Sequence, residues 1–244
     1  MPTDSLEQIV YQNLRRAILA HRLAPGTPLP APEIAQALGV SRTPVQAALR
    51  RLAVEGLVSF RPRHGASVVQ PTARDVRDAF VVRCNLEALA AELAAREITP
   101  EEIGILENCI LEEEASFARR DAEGVLEAGR RFHEVIAHAS RNRVLARVTT
   151  EVVAQTYVYL MFYDPFDAPV PRSPPEHRAI VAALTQRDPA EAHKAMEEHV
   201  RSTLGYLDLG LYFRAGRDVA EALRRQKNDH SGFQGDNRQG GDDL

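Results

Sequence analysis

The spacing of apolar residues along the chain predicts a mainly helical protein with one small hairpin. In the N-terminal part, apolar positions recur every three or four residues, as on one face of an amphipathic helix, in three segments: 5–22, 31–38 and 41–55. Residues 57–60 and 66–69 are short runs rich in β-forming residues. The stretch Arg61–Gly65 between them predicts a tight turn.

Residues that end or cap helices agree with these boundaries. The segment 23–26, Leu-Ala-Pro-Gly, ends the first helix in a turn. Gly39 stands where a left-handed residue would close the second helix. Ser41 offers a hydroxyl at the N-cap of the third helix, and Pro44 falls in its first turn, where a missing N–H costs little.

After Pro71 the pattern is one of long helices without a convincing pair of strands. The predicted helices of this part are 73–97, 100–118, 121–140, 142–162, 174–186, 188–211 and 214–226. Five prolines within residues 164–176 predict an extended connector. The polar and glycine-rich residues 226–244 are predicted to be a disordered tail.

The charge pattern supports a division into two domains, residues 1–70 and 72–225. Residues 1–70 carry eight arginines, no lysine and four acidic residues, a net charge of +4, whereas the rest of the chain carries −8. A basic module on an acidic body is typical of a nucleic-acid binder, and the total charge of −4 conceals it.

Composition narrows the class of protein further. The sequence has no run of eighteen apolar residues, which argues against a membrane span. Its first residues lack a basic segment followed by an apolar one, so no signal peptide is predicted. Cys84 and Cys109 are too few for a disulfide framework or a cysteine zinc cluster, and we expect reduced thiols. These features favour a soluble cytoplasmic protein.

The N-terminal pattern of three helices and a hairpin describes a winged helix-turn-helix. Its third helix begins at Ser41, so Ser41, Arg42 and Thr43 would project from the helix end that enters a DNA major groove and holds phosphate. Arg42 suits guanine, whose O6 and N7 accept two parallel donors, and Gln46 suits adenine. The alternative for each arginine is an ordinary solvated position on a helix face.

Further candidate DNA contacts lie at the far end of this helix and in the hairpin. Arg50 is placed for phosphate contact or for simple solvation. Arg63 and His64 sit at a hairpin tip that could enter the minor groove, and Gly65 allows the backbone to turn with a positive φ.

The segment 23–68 carries a series of short motifs in a fixed order: Pro25-Gly26, Leu29, Ile34-Ala35, Leu38 to Val45, Ala48-Leu49, Leu52, Glu55 to Val58 and Gly65. This series resembles the N-terminal domain of GntR-family bacterial transcription regulators. The resemblance implies that Ser41 to Pro44 occupy DNA-contacting positions and that His64-Gly65 forms the wing tip. Gln46-Ala47 replaces the usual Arg-Glu, and Ala31-Pro32 often corresponds to Glu-Arg, so an altered operator preference and weaker binding are implied.

Three histidines of the second part lie next to inward apolar residues on separate predicted helices. They are His133, His177 and His199. Helical bundles build metal sites from side chains that face inward on neighbouring helices, and three imidazoles suit Zn²⁺ or Ni²⁺ with one position left open. The alternative is a set of hydrogen-bonded core histidines.

Motifs around these histidines resemble the FCD-type ligand-binding domain of the FadR subgroup. They are Arg83 to Glu87, Phe132-His133, Ala139 to Asn142, Glu176 to Ile180, Asp188 with Ala190 and Ala192, and Met196 to His199. The resemblance implies a divalent metal (Zn, Ni or Mn) held by the three histidines and an aspartate one turn before the first. Gly129 stands at that position, and Glu127 and Glu134 have the wrong helical phase to replace the aspartate. A pocket without metal is the alternative.

The resemblance also implies a small carboxylate as effector. Arg83 is the candidate for carboxylate contact, and its alternative role is an ion pair with Glu87 one turn later. Asn142 could orient the pocket or cap the helix that begins there.

Together these features predict a ligand-responsive transcription regulator that binds double-stranded operator DNA as a homodimer, with repression released by the metabolite. One alternative is a winged-helix module for protein interaction that has lost DNA binding, motivated by Gln46 and Ala47. The other is a metal-dependent enzyme, for which no pattern places a general base.

Overall fold

The computed structural model describes residues 5–164, 171–210 and 218–223, which form two compact units. The first unit contains residues 5–70 and the second residues 71–164 and 171–210. The segment 218–223 groups with the first unit, although the sequence prediction extended the second domain to residue 225. The predicted tail, residues 165–170 of the predicted connector and most of the last predicted helix lie outside the described residues.

The first unit contains three helices and a two-stranded sheet. These are α1 (Leu6–Leu19), α2 (Ala31–Leu38), α3 (Arg42–Val54), β1 (Val58–Arg61) and β2 (Gly65–Val68). The strands are antiparallel, with Val58 opposite Val68 and Arg61 opposite Gly65. The winged arrangement of the prediction is therefore confirmed, with strand boundaries shifted by one residue.

The core of this unit explains its helical periodicity. Val10, Leu14 and Ile18 of α1 are fully buried, as are Ile34 of α2 and Val45 of α3. Burial of such side chains contributes about 1.5–3 kcal/mol each, which offsets the entropy of ordering short helices. Leu6 and Ile9, two apolar residues in the first turn of α1, remain exposed.

Local backbone geometry separates the second and third helices. Gly39 ends α2 with φ 71°, the left-handed conformation that the sequence predicted. Ser41 occupies the N-cap of α3, but its side chain makes no capping hydrogen bond. The hydroxyl is thus not used by the helix that it precedes. Gly65 starts β2 with φ 75°.

The second unit is a bundle of helices in the described residues. They are α4 (Ala73–Glu97), α5 (Pro100–Ala118), α6 (Ala122–Ala139), α7 (Arg143–Tyr163), α8 (Ser173–Thr185) and α9 (Pro189–Tyr206). Thr72 and Thr99 begin α4 and α5 with capping boxes, and Asp121, Asn142 and Asp188 cap α6, α7 and α9 with side-chain oxygens. The mainly α fold class is confirmed.

One helix end departs from the prediction. The sequence pattern extended α9 to residue 211, but the helix ends at Tyr206. Leu207 is extended, with ψ 128°, and the N–H of Asp208 donates to the carbonyl of Tyr163 at 2.9 Å. This bond to the end of α7 replaces a further helical turn.

Helix α4 lies at the centre of the second unit. It packs against α6, α7, α8 and α9, while α5 packs against α6 and α8. Side chains from all six helices can therefore approach one interior region. Within the described residues, no helix is both long enough and apolar enough to span a membrane.

Candidate functional site

The predicted DNA-contacting residues of the first unit are exposed. Ser41, Arg42 and Thr43 lie at the N-terminal end of α3, where unpaired backbone N–H groups favour an anion, and Pro44 is half-buried there. This end of the helix is therefore open to a phosphate or a base edge.

A groove joins α3 to the hairpin. Gln46 and Arg50 of α3 line it together with Arg63, His64 and Gly65 of the wing. The fold thus brings together two sets of residues that the sequence assigned separately to helix and wing. Phe60 of β1 also lines this groove, and 53% of its surface is exposed. No sequence pattern had indicated Phe60 as a candidate.

Arg51 contacts the neighbouring helix α1. Its Nη1 donates to the Gln8 side chain at 2.7 Å, and its guanidinium lies 3.7 Å from the centre of the Tyr11 ring. These contacts hold α3 against α1. Arg51 therefore links α3 to α1.

The three predicted histidines meet inside the second unit. His133 of α6, His177 of α8 and His199 of α9 are each at most 3% exposed. One ring nitrogen of each lies within 4.8 Å of the others, and the Nε2 atoms of His133 and His199 are 3.3 Å apart. The sequence spacing alone could not establish this convergence.

A carboxylate lies behind each histidine, on its Nδ1 side. The pairs are Glu87 with His133, Glu113 with His177 at 2.9 Å, and Glu176 with His199 at 2.7 Å. In metal sites, an outer carboxylate of this kind fixes the ring orientation and the tautomer of a ligating histidine. The Nε2 atoms are then the ones that face the cluster centre.

Burial determines the charge states in the cluster. It lowers the pKa of His133 to about 4 and that of His199 to about 3, although their carboxylate partners oppose the change. Burial alone would raise the pKa of Glu87, but the charge of Arg83 and the hydrogen-bonding contact with His133 outweigh it and lower that pKa to about 2. At neutral pH both imidazoles are therefore neutral beside an ionised Glu87.

These charge states leave electron pairs facing one another. An ionised carboxylate only accepts hydrogen bonds, so Nδ1 of His133 and of His199 carries the proton and each Nε2 has a lone pair. Two acceptors 3.3 Å apart repel each other unless a cation lies near both. Nε2 of His177 has no hydrogen-bond partner among the described residues. The donor set fits a divalent cation that accepts imidazole ligands.

The position of the expected aspartate is occupied differently. Gly129 is buried in α6, and a Cβ added to it would lie 2.6 Å from the Tyr157 hydroxyl oxygen. Glu127 and Glu134 both pair with Arg130. In the part of the chain that the structure describes, no carboxylate joins the three histidines as a potential ligand.

Arg83 forms the ion pair that the sequence offered as one of its two alternative roles. It is 1% exposed, and its Nε donates to Glu87, so the ion pair is present. Its Nη1 is buried without a hydrogen-bond partner in the described residues. Arg83 also lines a cavity of about 80 Å³ with Gly129, Tyr157, His177 and His199 among others. An anion in this cavity would meet an unused donor.

Asn142 has a local role. Its Oδ1 accepts hydrogen bonds from the backbone N–H groups of Val144 and Leu145, at 3.2 and 3.1 Å. It is not among the residues that line the cavity. Of its two predicted roles, helix capping is the one that the structure shows.

Sequence reasoning missed Glu113 and Tyr157. Glu113 lies 64 residues from His177, and no motif connects the two positions. Glu87 and Glu176 were noticed only as neighbours of other candidates. Because each pair joins two different helices, a single sequence offers no periodic signal for it.

Comparison with known proteins gives the family. Residues 6–68 match bacterial regulatory proteins of the gntR family, and residues 78–202 match the FCD domain. The chain is also 32% identical over 205 residues to the HTH-type transcriptional repressor RspR of Escherichia coli (strain K12), covering 82% of this chain and 88% of that protein. The chain belongs to the GntR family of bacterial transcription regulators and carries an FCD domain.

Other relatives of this GntR-family regulator agree. It is 33% identical over 202 residues to a probable D-xylose utilization operon transcriptional repressor of Paenarthrobacter nicotinovorans, covering 82% of this chain and 86% of that one. The solved structure of E. coli McbR/YncC covers 83% of this chain and 97% of its own, with 23% identity and a TM-score of 0.62. The solved structure of a putative GntR regulator from Rhodococcus sp. RHA1 covers 84% of this chain and 98% of its own, with 23% identity and a TM-score of 0.64. At these identities the structures show the fold alone.

The family and the named relatives are transcription regulators and not enzymes. The metal-dependent enzyme considered from the sequence is therefore excluded as the activity of this regulator.

Proposed function

We propose that this GntR-family regulator binds operator DNA as a homodimer and that a divalent cation in its FCD domain recruits a small carboxylate effector. The observation that carries the second half is the convergence of three buried imidazoles, two of whose Nε2 atoms lie 3.3 Å apart. Repression released by the effector is the mode we favour, because two relatives are named as repressors.

The proposed DNA-contacting set combines the start of α3 with the groove beside the wing. It consists of Ser41, Arg42, Thr43, Pro44, Gln46, Arg50, Arg63, His64 and Gly65. Exposure of the hydroxyl and guanidinium groups at the helix start supports base and phosphate contacts there. In a homodimer, two such helices would enter successive major grooves of a pseudo-palindromic site.

The proposed metal ligands are His133, His177 and His199. Neutral imidazole suits Zn²⁺ and Ni²⁺ in particular, and Mn²⁺ would bind less tightly to this set. A bound cation supplies a Lewis-acidic point at the cavity, to which a carboxylate oxygen can coordinate. Glu87, which contacts Nδ1 of His133, is one of the three carboxylates that orient the rings.

Arg83 is the proposed contact for the rest of the carboxylate. Its Nη1 has no hydrogen-bond partner among the described residues, and Arg83 lines the same cavity as His177 and His199. Asn142 would contribute indirectly, by starting the helix α7 that carries Tyr157. Effector binding changes DNA affinity only if the effector binds one domain arrangement better than the other.

Metal analysis of protein purified without a histidine tag or chelator tests the metal half. We expect about one equivalent of Zn²⁺, Ni²⁺ or Mn²⁺ per chain in the parent protein and a loss of metal in His177→Ala. His138→Ala is the matched control, since His138 lies on α6 but is exposed. Equal metal content in His177→Ala and the parent, or a parent that takes up no added metal, would contradict the proposal.

Binding to duplex DNA selected from a random pool tests the other half. A steep fall in affinity with added salt is expected, because contacts to phosphates release counterions. The competing function is a protein-interaction module, which Gln46 and Ala47 suggest. Absence of any selected sequence and of any salt dependence would favour that module.

A further inference from the structure

Gly129 and Tyr157 form a matched pair at the edge of the histidine cluster. Gly129 lies on α6 one turn before His133, and Tyr157 faces it from α7. A Cβ at position 129 would come within 2.6 Å of the Tyr157 hydroxyl oxygen and 3.5 Å of its Cε1 and Cζ atoms. The hydroxyl thus occupies space that any side chain at position 129 would need.

The surroundings of Tyr157 point the same way. Tyr157 lines the cavity with Arg83, and the Arg83 guanidinium carbon lies 5.2 Å from the centre of the tyrosine ring. The ring centre of His133 is 6.1 Å from that of Tyr157. A phenol at neutral pH is a donor as well as an acceptor. The cavity is therefore lined by a hydroxyl that can donate and by Arg83, whose Nη1 has no hydrogen-bond partner among the described residues.

The charges of the cluster show what is lacking. The imidazoles that face the centre bring electron pairs but no negative charge. The ionised Glu87 already pairs with Arg83 and with Nδ1 of His133. Among the described residues no further carboxylate reaches the group of potential ligands. An anion from solution can complete such a site.

We infer that Tyr157 is a specificity-determining residue, whose hydroxyl donates a hydrogen bond to the carboxylate that completes the cation's coordination. Gly129 provides the room for it, and Arg83 supplies a second donor. The cation and the carboxylate then bind interdependently, each strengthening the other. This inference rests on the proposed function, and the carboxylate would lie in the cavity of about 80 Å³ that Tyr157 and Arg83 line.

Cobalt titration of the metal-free protein measures the interdependence. The Co²⁺ dissociation constant is determined from the visible absorption of bound Co²⁺, in carboxylate-free buffer and then with sodium acetate, using sodium chloride as the ionic control. We expect acetate to tighten Co²⁺ binding about tenfold in the parent protein, a coupling within the usual allosteric range.

Tyr157→Phe removes only the hydroxyl. In this variant acetate should tighten Co²⁺ binding only about twofold, which corresponds to a small coupling free energy. Tyr159→Phe is the matched control, because Tyr159 is a buried tyrosine on the same helix that does not line the cavity. The hydroxyl of Tyr159 accepts a hydrogen bond from Gln155 at 2.6 Å. The Tyr159→Phe variant should keep the parental gain. Circular dichroism and thermal unfolding establish that both variants are folded.

The double variant Gly129→Asp/Tyr157→Phe gives an independent reading. It places a carboxylate where the parent protein has none and removes the hydroxyl that meets the new side chain. We expect tighter Co²⁺ binding than in the parent without acetate, and no further gain from acetate. An unchanged gain in the double variant would contradict the inference even if Tyr157→Phe failed to fold.

Two kinds of failure are distinguishable. If the parent binds Co²⁺ but acetate has no effect, or the same effect in Tyr157→Phe, the role of Tyr157 is wrong and the metal site stands. If neither the parent nor the double variant binds Co²⁺, the metal site and the inference are both overturned.

Discussion

The two candidate sites of this regulator are built in opposite ways. The proposed DNA-contacting set uses exposed side chains from one short stretch, Ser41 to Arg50, with a wing that follows directly. The histidine cluster uses buried side chains from helices that are far apart in the sequence, with His133 and His199 separated by 66 residues. The first can be altered one contact at a time, whereas the second depends on mutual support.

The same contrast holds for charge. Arg42 and Arg50 are exposed, so water solvates them and each can act on its own. Arg83 and Glu87 are 1% exposed and depend on each other. A substitution at the surface should therefore affect binding, and a substitution in the cluster should affect folding as well.

The largest effect is expected from Glu87→Gln. It would leave Arg83 buried without its counter-charge, and breaking a buried pair by removing one partner costs about 3–5 kcal/mol. Urea unfolding of the metal-free protein measures the loss. The control is Glu127→Gln, which removes an exposed carboxylate from a surface pair with Arg130 and should cost about 0–1 kcal/mol. Similar losses in both variants would show that the two environments do not differ as described.

A smaller effect is expected from Arg42→Ala. Loss of a bidentate base contact should weaken binding to the selected operator by about 1–3 kcal/mol and relax one base preference. Stability should change little, since Arg42 is exposed. Arg16→Ala removes the same charge from an exposed position on α1 and should keep every base preference. Operator affinity equal to the parent's would remove Arg42 from the recognition surface.

The third expected effect is a pH dependence of stability that distinguishes the two regions. The folded pKa of His133 is about 4, below the unfolded value of about 6.5, so the unfolded chain takes up protons first as the pH falls. Stability of the metal-free protein should therefore decrease from pH 7 to pH 5. The lowered pKa of Glu87 adds a further loss only below about 4.5, its ordinary value.

Urea midpoints at pH 7 and pH 5 measure this dependence. His199→Gln should reduce the slope, because the pKa of His199 is also lowered by burial. His64→Ala is the surface control, since His64 is exposed on the wing. Equal urea midpoints at pH 7 and pH 5 in the parent would mean that folding does not favour the neutral form of the buried histidines.

Most of the fold could be predicted from the sequence because its boundaries depend on local interactions. Thr99 caps α5 through Glu102, three residues away, and Asp188 caps α9 within its first turn. The end of α9 could not be predicted in this way. It depends on the bond from Asp208 to Tyr163, two residues far apart in the sequence.

The candidate sites divide along the same line. Arg42 and Gln46 were predicted from a contiguous motif. His133 was predicted because an apolar stripe flanks it and a family resemblance supported it. Glu113 and Tyr157 reach the cluster only through helix packing, so neither periodicity nor motif could indicate them. Tertiary contacts between polar side chains leave no mark on hydrophobic spacing.

The position of the cluster also affects the fraction of chains that are folded. Cys84 and Cys109 are both free, so no covalent cross-link joins the helices. A cation held by His133, His177 and His199 would tie α6, α8 and α9 together in the native state alone, and by mass action the population of unfolded chains would fall as free metal rises. The fraction of folded regulator would then depend on the concentration of free metal.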